Sequence, residues 1–123
     1  MRTIDVKVIT EAVSKLCKDA CYYLPDQMMA VLEKSVKTEE SPLGKEILET
    51  LIENAKLAKE TDCPICQDTG LTVVFAEIGQ EVHFAGGDLY AAINAGVADG
   101  YIKGYLRKSS VDDPLFERKN TQD

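Results

Sequence analysis

Apolar side chains along this chain recur first at helical spacing and then, past the midpoint, on both faces of a short run. From Thr10, read as an N-cap, Val13, Leu16, Cys17 and Ala20 fall three or four residues apart and predict a first helix. Before it, Ile4, Val6 and Val8 alternate with Asp5 and Lys7, which suits a short extended lead-in. Pro25 ends the first helix and fits the first turn of a second, whose apolar face is Met28, Met29, Leu32 and Val36. Ser41-Pro42 sets an N-cap followed by proline at the first helical position. Leu43, Ile47, Leu51, Ala55 and Ala58 then recur at intervals of three or four, with Leu48 and Ile52 widening the stripe of a third helix.

After Thr61 the period changes. Leu71 to Ile78 is rich in β-branched and aromatic residues and predicts a covered strand. Gly79-Gln80 fits a two-residue turn, and Glu81 to Ala85 a returning strand. Gly86-Gly87-Asp88 breaks that strand and caps a last helix from Leu89 to about Leu106. Within this helix Ala92, Gly96, Gly100 and Gly104 repeat every four residues and share one face. Each interior glycine costs about 1 kcal/mol relative to alanine, so the stripe implies close approach of another backbone, the favoured reading, or of a ligand. The expected fold class is α+β in one domain spanning residues 1–123. It has a helix-rich N-terminal half, a β-hairpin contributing to a small antiparallel sheet, and a further long helix. The polar end, including Asp112-Asp113-Pro114 and Arg118-Lys119-Asn120, reads as a disordered terminus or a linker.

Charge narrows the partners. A net charge of −7 opposes binding to nucleic acid or to anionic membranes. No apolar run approaches the roughly 20 residues a membrane-spanning helix needs. The N-terminus lacks a secretory pattern, so the expected location is the cytoplasm, where the four cysteines stay reduced. Cys17 and Cys21, stacked on one helix face, read as small buried hydrophobes. Cys63-Pro64-Ile65-Cys66 admits three readings: half of a zinc site, a redox dithiol, or a cluster ligand at Cys66 beside a bystander at Cys63.

The run Cys66-Gln67-Asp68-Thr69-Gly70 puts a soft metal ligand, an amide, a carboxylate and a flexible glycine together. Such a set suits the edge of a metal or substrate site, and equally an ordinary turn. Arg107, followed by Lys108 and two serines, suits either a bidentate clamp on a carboxylate or a cation at a helix C-terminus. His83 is the only histidine and sits mid-strand, which argues against a hydrolase triad and for a partly buried, hydrogen-bonded side chain.

The motif from Cys63 to Gly70 closely resembles the signature of class I, iron–sulfur-dependent fumarate hydratases and the related L-tartrate dehydratases. Ser41-Pro42-Leu43-Gly44, the run Val73 to Gln80, Gly86-Gly87-Asp88-Leu89, Ala92-Ile93-Asn94 and Gly104 to Ser109 extend that resemblance to the α subunit over nearly the whole chain. The resemblance implies a [4Fe–4S] cluster held by three cysteines, with one iron acting as a Lewis acid on the substrate. By position it makes Cys66 one cluster ligand, Gln67 and Asp68 residues at the substrate with Asp68 in orientation or proton transfer, and Arg107 a carboxylate-binding residue. It further implies an N-terminal fragment of a longer α subunit, working with a β subunit in an α2β2 assembly on a small dicarboxylate. Fumarate hydration to malate is the first expectation and L-tartrate dehydration the alternative. Asn120-Thr121-Gln122-Asp123 resembles the start of a segment that continues, so the isolated fragment is expected to hold no stable cluster and to be inactive. From another class, a non-catalytic interaction module with a bystander C-x-x-C fits the same residues.

Overall fold

The computed structural model describes residues 1–121; Gln122 and Asp123 lie outside the described residues. Two compact units are present: Met1–Lys18 together with the chain from Gln67 onward, and Asp19–Cys66.

In the first unit, Asp5 decides where helix formation begins. Strand β1 (Arg2–Asp5) runs directly into helix α1 (Val6–Tyr22), and Asp5 Oδ1 accepts a 2.9 Å hydrogen bond from the Lys7 N–H in the manner of an N-cap. The alternation at Ile4, Val6 and Val8 therefore marks a strand only as far as Asp5, and Val6 is already a buried helical residue. Thr10 is mid-helix rather than a cap. Its hydroxyl lies 3.3 Å from the Val6 carbonyl oxygen and 3.0 Å from that of Ala92, sharing its proton between them.

Strand β2 (Val82–Ala85) pairs with β1 in parallel, in the register Arg2 with Val82 through Asp5 with Ala85. This overturns the expected antiparallel hairpin. The turn exists, since the Val82 N–H bonds to the Gly79 carbonyl, but only its second arm enters a ladder. Residues 71–78 form no strand, and Leu71, Val73 and Phe75 are exposed. Strand propensity measures how well side chains fit a pleated, half-buried surface; it does not supply the neighbour that makes the ladder.

Helix α4 (Leu89–Lys103) is capped by Asp88, whose carboxylate accepts from the Ala91 N–H at 2.8 Å. Its glycine face packs on α1 as the stripe requires. A Cβ placed at Gly96 would stand 2.7 Å from the Thr10 carbonyl oxygen, and one at Gly100 would stand 2.7 Å from that of Ser14. The two helices therefore touch backbone to side-chain base, with Val13, Cys17, Ala92, Val97 and Tyr101 buried around the contact. The Ser14 hydroxyl adds a 2.7 Å bond to Asp99 across the same interface. The Asp99 carboxyl is held below its ordinary range, chiefly by the Lys103 ammonium and then by Ser14.

The polar end is ordered where it is described. Val111 bridges Asn120 in antiparallel sense, and Asp113 Oδ1 accepts from the Leu115 and Phe116 N–H groups to cap the turn between them. The stretch read as a disordered terminus or a linker is therefore a small closed loop through Thr121, held by local side-chain caps that a search for apolar periodicity does not register.

The second unit is helical. Helix α2 (Asp26–Thr38) follows Pro25 and packs against helix α3 (Pro42–Thr61). Ser41 caps α3 by accepting from the Gly44 N–H at 3.3 Å, with Pro42 at the first position, as expected. The helix ends at Asp62, in the left-handed conformation at φ 51°. The Cys63 N–H bonds back to the Ala58 carbonyl, starting the loop that carries both cysteines of the C-x-x-C.

Candidate functional site

In the helical unit the loop after α3 is fixed just before Cys66. The Ile65 N–H donates to the Cys21 carbonyl at 2.9 Å, and its own carbonyl accepts from Asn54 Nδ2 at 2.9 Å. Cys63 and Cys66 are both exposed thiols, while Cys17 is buried and Cys21 half-buried. The reading of Cys17 as a small buried hydrophobe therefore holds. Burial pushes its thiol above the ordinary value, with a hydrogen bond to Thr72 opposing the shift. Among the described residues, no three His, Cys, Asp or Glu side chains converge as a metal-binding group.

The other unit carries Gln67, Asp68 and Arg107. Asp68 Oδ1 accepts from the Gly70 N–H at 3.2 Å, a local turn that Gly70 completes at φ 63°. Thus the turn reading and the site reading describe the same five residues: the turn exists, and it presents Asp68 on an exposed loop.

Arg107 is placed by the way α4 stops. The Leu106 N–H bonds to the Tyr101 carbonyl at 3.0 Å and the Tyr105 N–H to the Ile102 carbonyl at 3.4 Å, with Tyr105 at φ 51°. This is a Schellman stop, in which a left-handed residue turns the chain sharply out of the helix. Leu106 is buried behind the turn and Arg107 emerges exposed. Lys103 occupies the last turn of α4, so Arg107 stands beyond the stretch where a cation best complements the helix terminus.

Thr69 then joins the two pieces. Its hydroxyl donates to the Arg107 carbonyl at 3.1 Å and accepts from the Arg107 N–H at 3.1 Å. From the buried side, the Tyr101 hydroxyl lies 3.1 Å from the Gly70 carbonyl and 3.4 Å from that of Thr69, and accepts from Thr72 Oγ1 at 3.2 Å. A carboxylate loop and an arginine 39 positions apart in the sequence are thereby brought together. Sequence reasoning placed Thr69 in the motif without a task and passed over Tyr101. Only the interval between motif and helix end, invisible as a periodicity, connects them. His83, expected to be partly buried, is exposed on β2.

Residues 10–123 match the family model described as fumarate hydratase (Fumerase). A Methanocaldococcus jannaschii protein with the provisional name L(+)-tartrate dehydratase subunit alpha is 41% identical over 75 residues, covering 61% of this chain and 26% of that protein. The L(+)-tartrate dehydratase subunit alpha of Escherichia coli O157:H7 is 29% identical over 116 residues, 94% of this chain and 37% of its own length. Its counterpart in Escherichia coli K12 is 28% identical over the same shares. The chain thus spans between about a quarter and somewhat over a third of the length of these curated relatives. With the family match running from Thr10 through both units, this chain belongs to the fumarate hydratase (Fumerase) family.

Proposed function

We propose that this chain is the N-terminal part of the α subunit of an iron–sulfur hydro-lyase that adds water to, or removes it from, a four-carbon dicarboxylate. The observation that carries the proposal is the reciprocal hydrogen bonding of Thr69 with Arg107, which ties the Gln67-Asp68 loop to a cation suited to a carboxylate. The donor chemistry fits a share of a [4Fe–4S] cluster: Cys66 offers one exposed sulfur ligand, and in this proposal the rest of the α subunit supplies the other two cysteines. When bound, the cluster supplies a Lewis-acidic iron to the substrate oxygens. Arg107 binds a substrate carboxylate through its planar fork, and Gln67 hydrogen-bonds the substrate on the same loop. Asp68 orients the reacting groups and holds or moves a proton at its carboxylate oxygens.

Fumarate and malate are the first substrate pair in this proposal. L-tartrate is the second, favoured by the names of the relatives in Methanocaldococcus jannaschii and Escherichia coli. Those relatives are named alpha subunits, which supports a β subunit as partner; the assembly in this proposal is α2β2. The four cysteines suit a reducing cytoplasm. By itself the chain is inactive in this account. The test is turnover by the complete, anaerobically purified two-subunit protein on fumarate, malate and L-tartrate. Activity on any of them supports the hydro-lyase reading and selects the substrate, whereas none on all three, with a full cluster present, refutes it. Stoichiometric cluster assembly and turnover by this chain alone, after anaerobic reconstitution with iron and sulfide, would refute the fragment reading.

A further inference from the structure

We infer that Thr69 is a positioning residue of the substrate site, setting the place of Arg107 relative to Asp68, and that Tyr101 holds the same loop from the core. The inference rests on the reading of Asp68 and Arg107 as substrate-facing groups given above.

A hydroxyl is both donor and acceptor, and Thr69 uses both capacities on one residue: 3.1 Å to the Arg107 carbonyl and 3.1 Å from the Arg107 N–H. Two bonds to the same backbone unit fix orientation as well as distance, much as a pair of strand residues would. This matters because of where Arg107 lies. It lies beyond the end of α4, exposed, after a stop that turns on a non-glycine residue at φ 51°. The Thr69 backbone is in turn held from beneath. Tyr101 is 4% exposed, and its hydroxyl meets the carbonyls of Thr69 and Gly70 while accepting from Thr72. The path therefore runs from the buried α1–α4 interface through Tyr101 to the loop, and through Thr69 to Arg107. Functional loops gain precision when supported by rigid elements, and misplacement by about 1 Å can cost as much as a hundredfold in rate.

The replacement Thr69→Val keeps the shape and removes both bonds, while Thr69→Ser keeps both. In the complete two-subunit protein with its cluster loaded, Thr69→Val should raise KM for the working substrate about tenfold. It should do so with an unchanged cluster spectrum and a smaller change in kcat, and Thr69→Ser should restore KM to within about twofold of the parent. Tyr101→Phe, which deletes only the hydroxyl, should raise KM in the same direction. In this chain, hydrogen exchange at the Arg107 amide should accelerate in Thr69→Val and not in Thr69→Ser. Arg107→Ala, measured alongside, separates the two levels of the argument. If Arg107→Ala raises KM while Thr69→Val leaves it unchanged, the positioning inference is wrong and the substrate role of Arg107 stands. If Arg107→Ala leaves KM unchanged, both are wrong. Should Thr69→Val fail to assemble, an unchanged KM in Tyr101→Phe together with equal Arg107 amide exchange in the parent and Thr69→Ser,Tyr101→Phe forms overturns the inference about Tyr101, and loss of exchange protection in Thr69→Ser overturns that about Thr69.

Discussion

Replacing Gly100 by alanine sets two effects of opposite sign against each other. Helix propensity alone predicts that Gly100→Ala stabilises the chain by about 1 kcal/mol, because Gly100 lies inside α4 and has no positive φ. Packing predicts the reverse. The added methyl would stand 2.7 Å from the Ser14 carbonyl oxygen and 2.9 Å from Cys17 Cβ, where ordinary contact begins near 3.4 Å. The obstacle is helix backbone, which cannot swing aside as a side-chain tip can, so α1 and α4 must separate by roughly 0.7 Å or tilt. Overpacking of this kind costs about 1–3 kcal/mol, and an unyielding neighbour puts this site toward the upper end. The net expectation is destabilisation by about 1–2 kcal/mol, lowering the urea midpoint by roughly 0.5–1 M. Gly79→Ala is the control, since its methyl meets only Val82 Cγ2 at 3.7 Å, and its midpoint should stay within about 0.3 M of the parent. A higher midpoint for Gly100→Ala would show that the glycine face is not in close contact with α1.

Two further outcomes test local features. Tyr105 is 88% exposed at φ 51°, so Tyr105→Gly relieves left-handed strain at little loss of buried surface and should stabilise by about 1 kcal/mol; a lower melting temperature would contradict the Schellman stop. Because the thiolate is the reactive form and burial raises Cys17, timed iodoacetamide labelling of the native chain should modify Cys63 and Cys66 well before Cys17, and equal rates would refute its burial. The sign of the linkage follows. A raised folded pKa makes the Cys17 contribution complete below the ordinary thiol value near 9.0 and lost as pH climbs through the raised one, so stability should decline on the alkaline side and do so less in Cys17→Ala.

Helix signals were legible where one residue both ends the search and makes the bond. Ser41-Pro42 and Asp88 cap α3 and α4 as read, and the spacing of Gly96 and Gly100 announced a close helix contact before any coordinates. The errors share a physical cause. Val6 and Val8 looked extended by composition, yet Asp5 supplies a cap and the core takes Val6 into α1. Residues 71–78 have the composition of a strand, but β2 pairs instead with β1, far away in sequence. Pairing partners are set by three-dimensional competition, which a local window does not contain. The site divides in the same way. The chemistry of Cys66, Gln67 and Asp68 stands on adjacent residues and could be read directly, as could Arg107 as a carboxylate clamp or a helix-end cation, and the resemblance added their places at a substrate. What joins Arg107 to Asp68 is a threonine hydroxyl and a buried tyrosine, whose roles exist only once α4 has turned the chain back.

The central claim is that Cys66, and not Cys63, is this chain's ligand to a cluster. Iron and acid-labile sulfide per α subunit, measured in the anaerobically purified two-subunit protein, test it most directly. Cys66→Ser should lose the [4Fe–4S] cluster and its visible absorbance, while Cys63→Ser should keep most of both. Equal loss from the two substitutions would point to a C-x-x-C metal or redox pair and contradict the account.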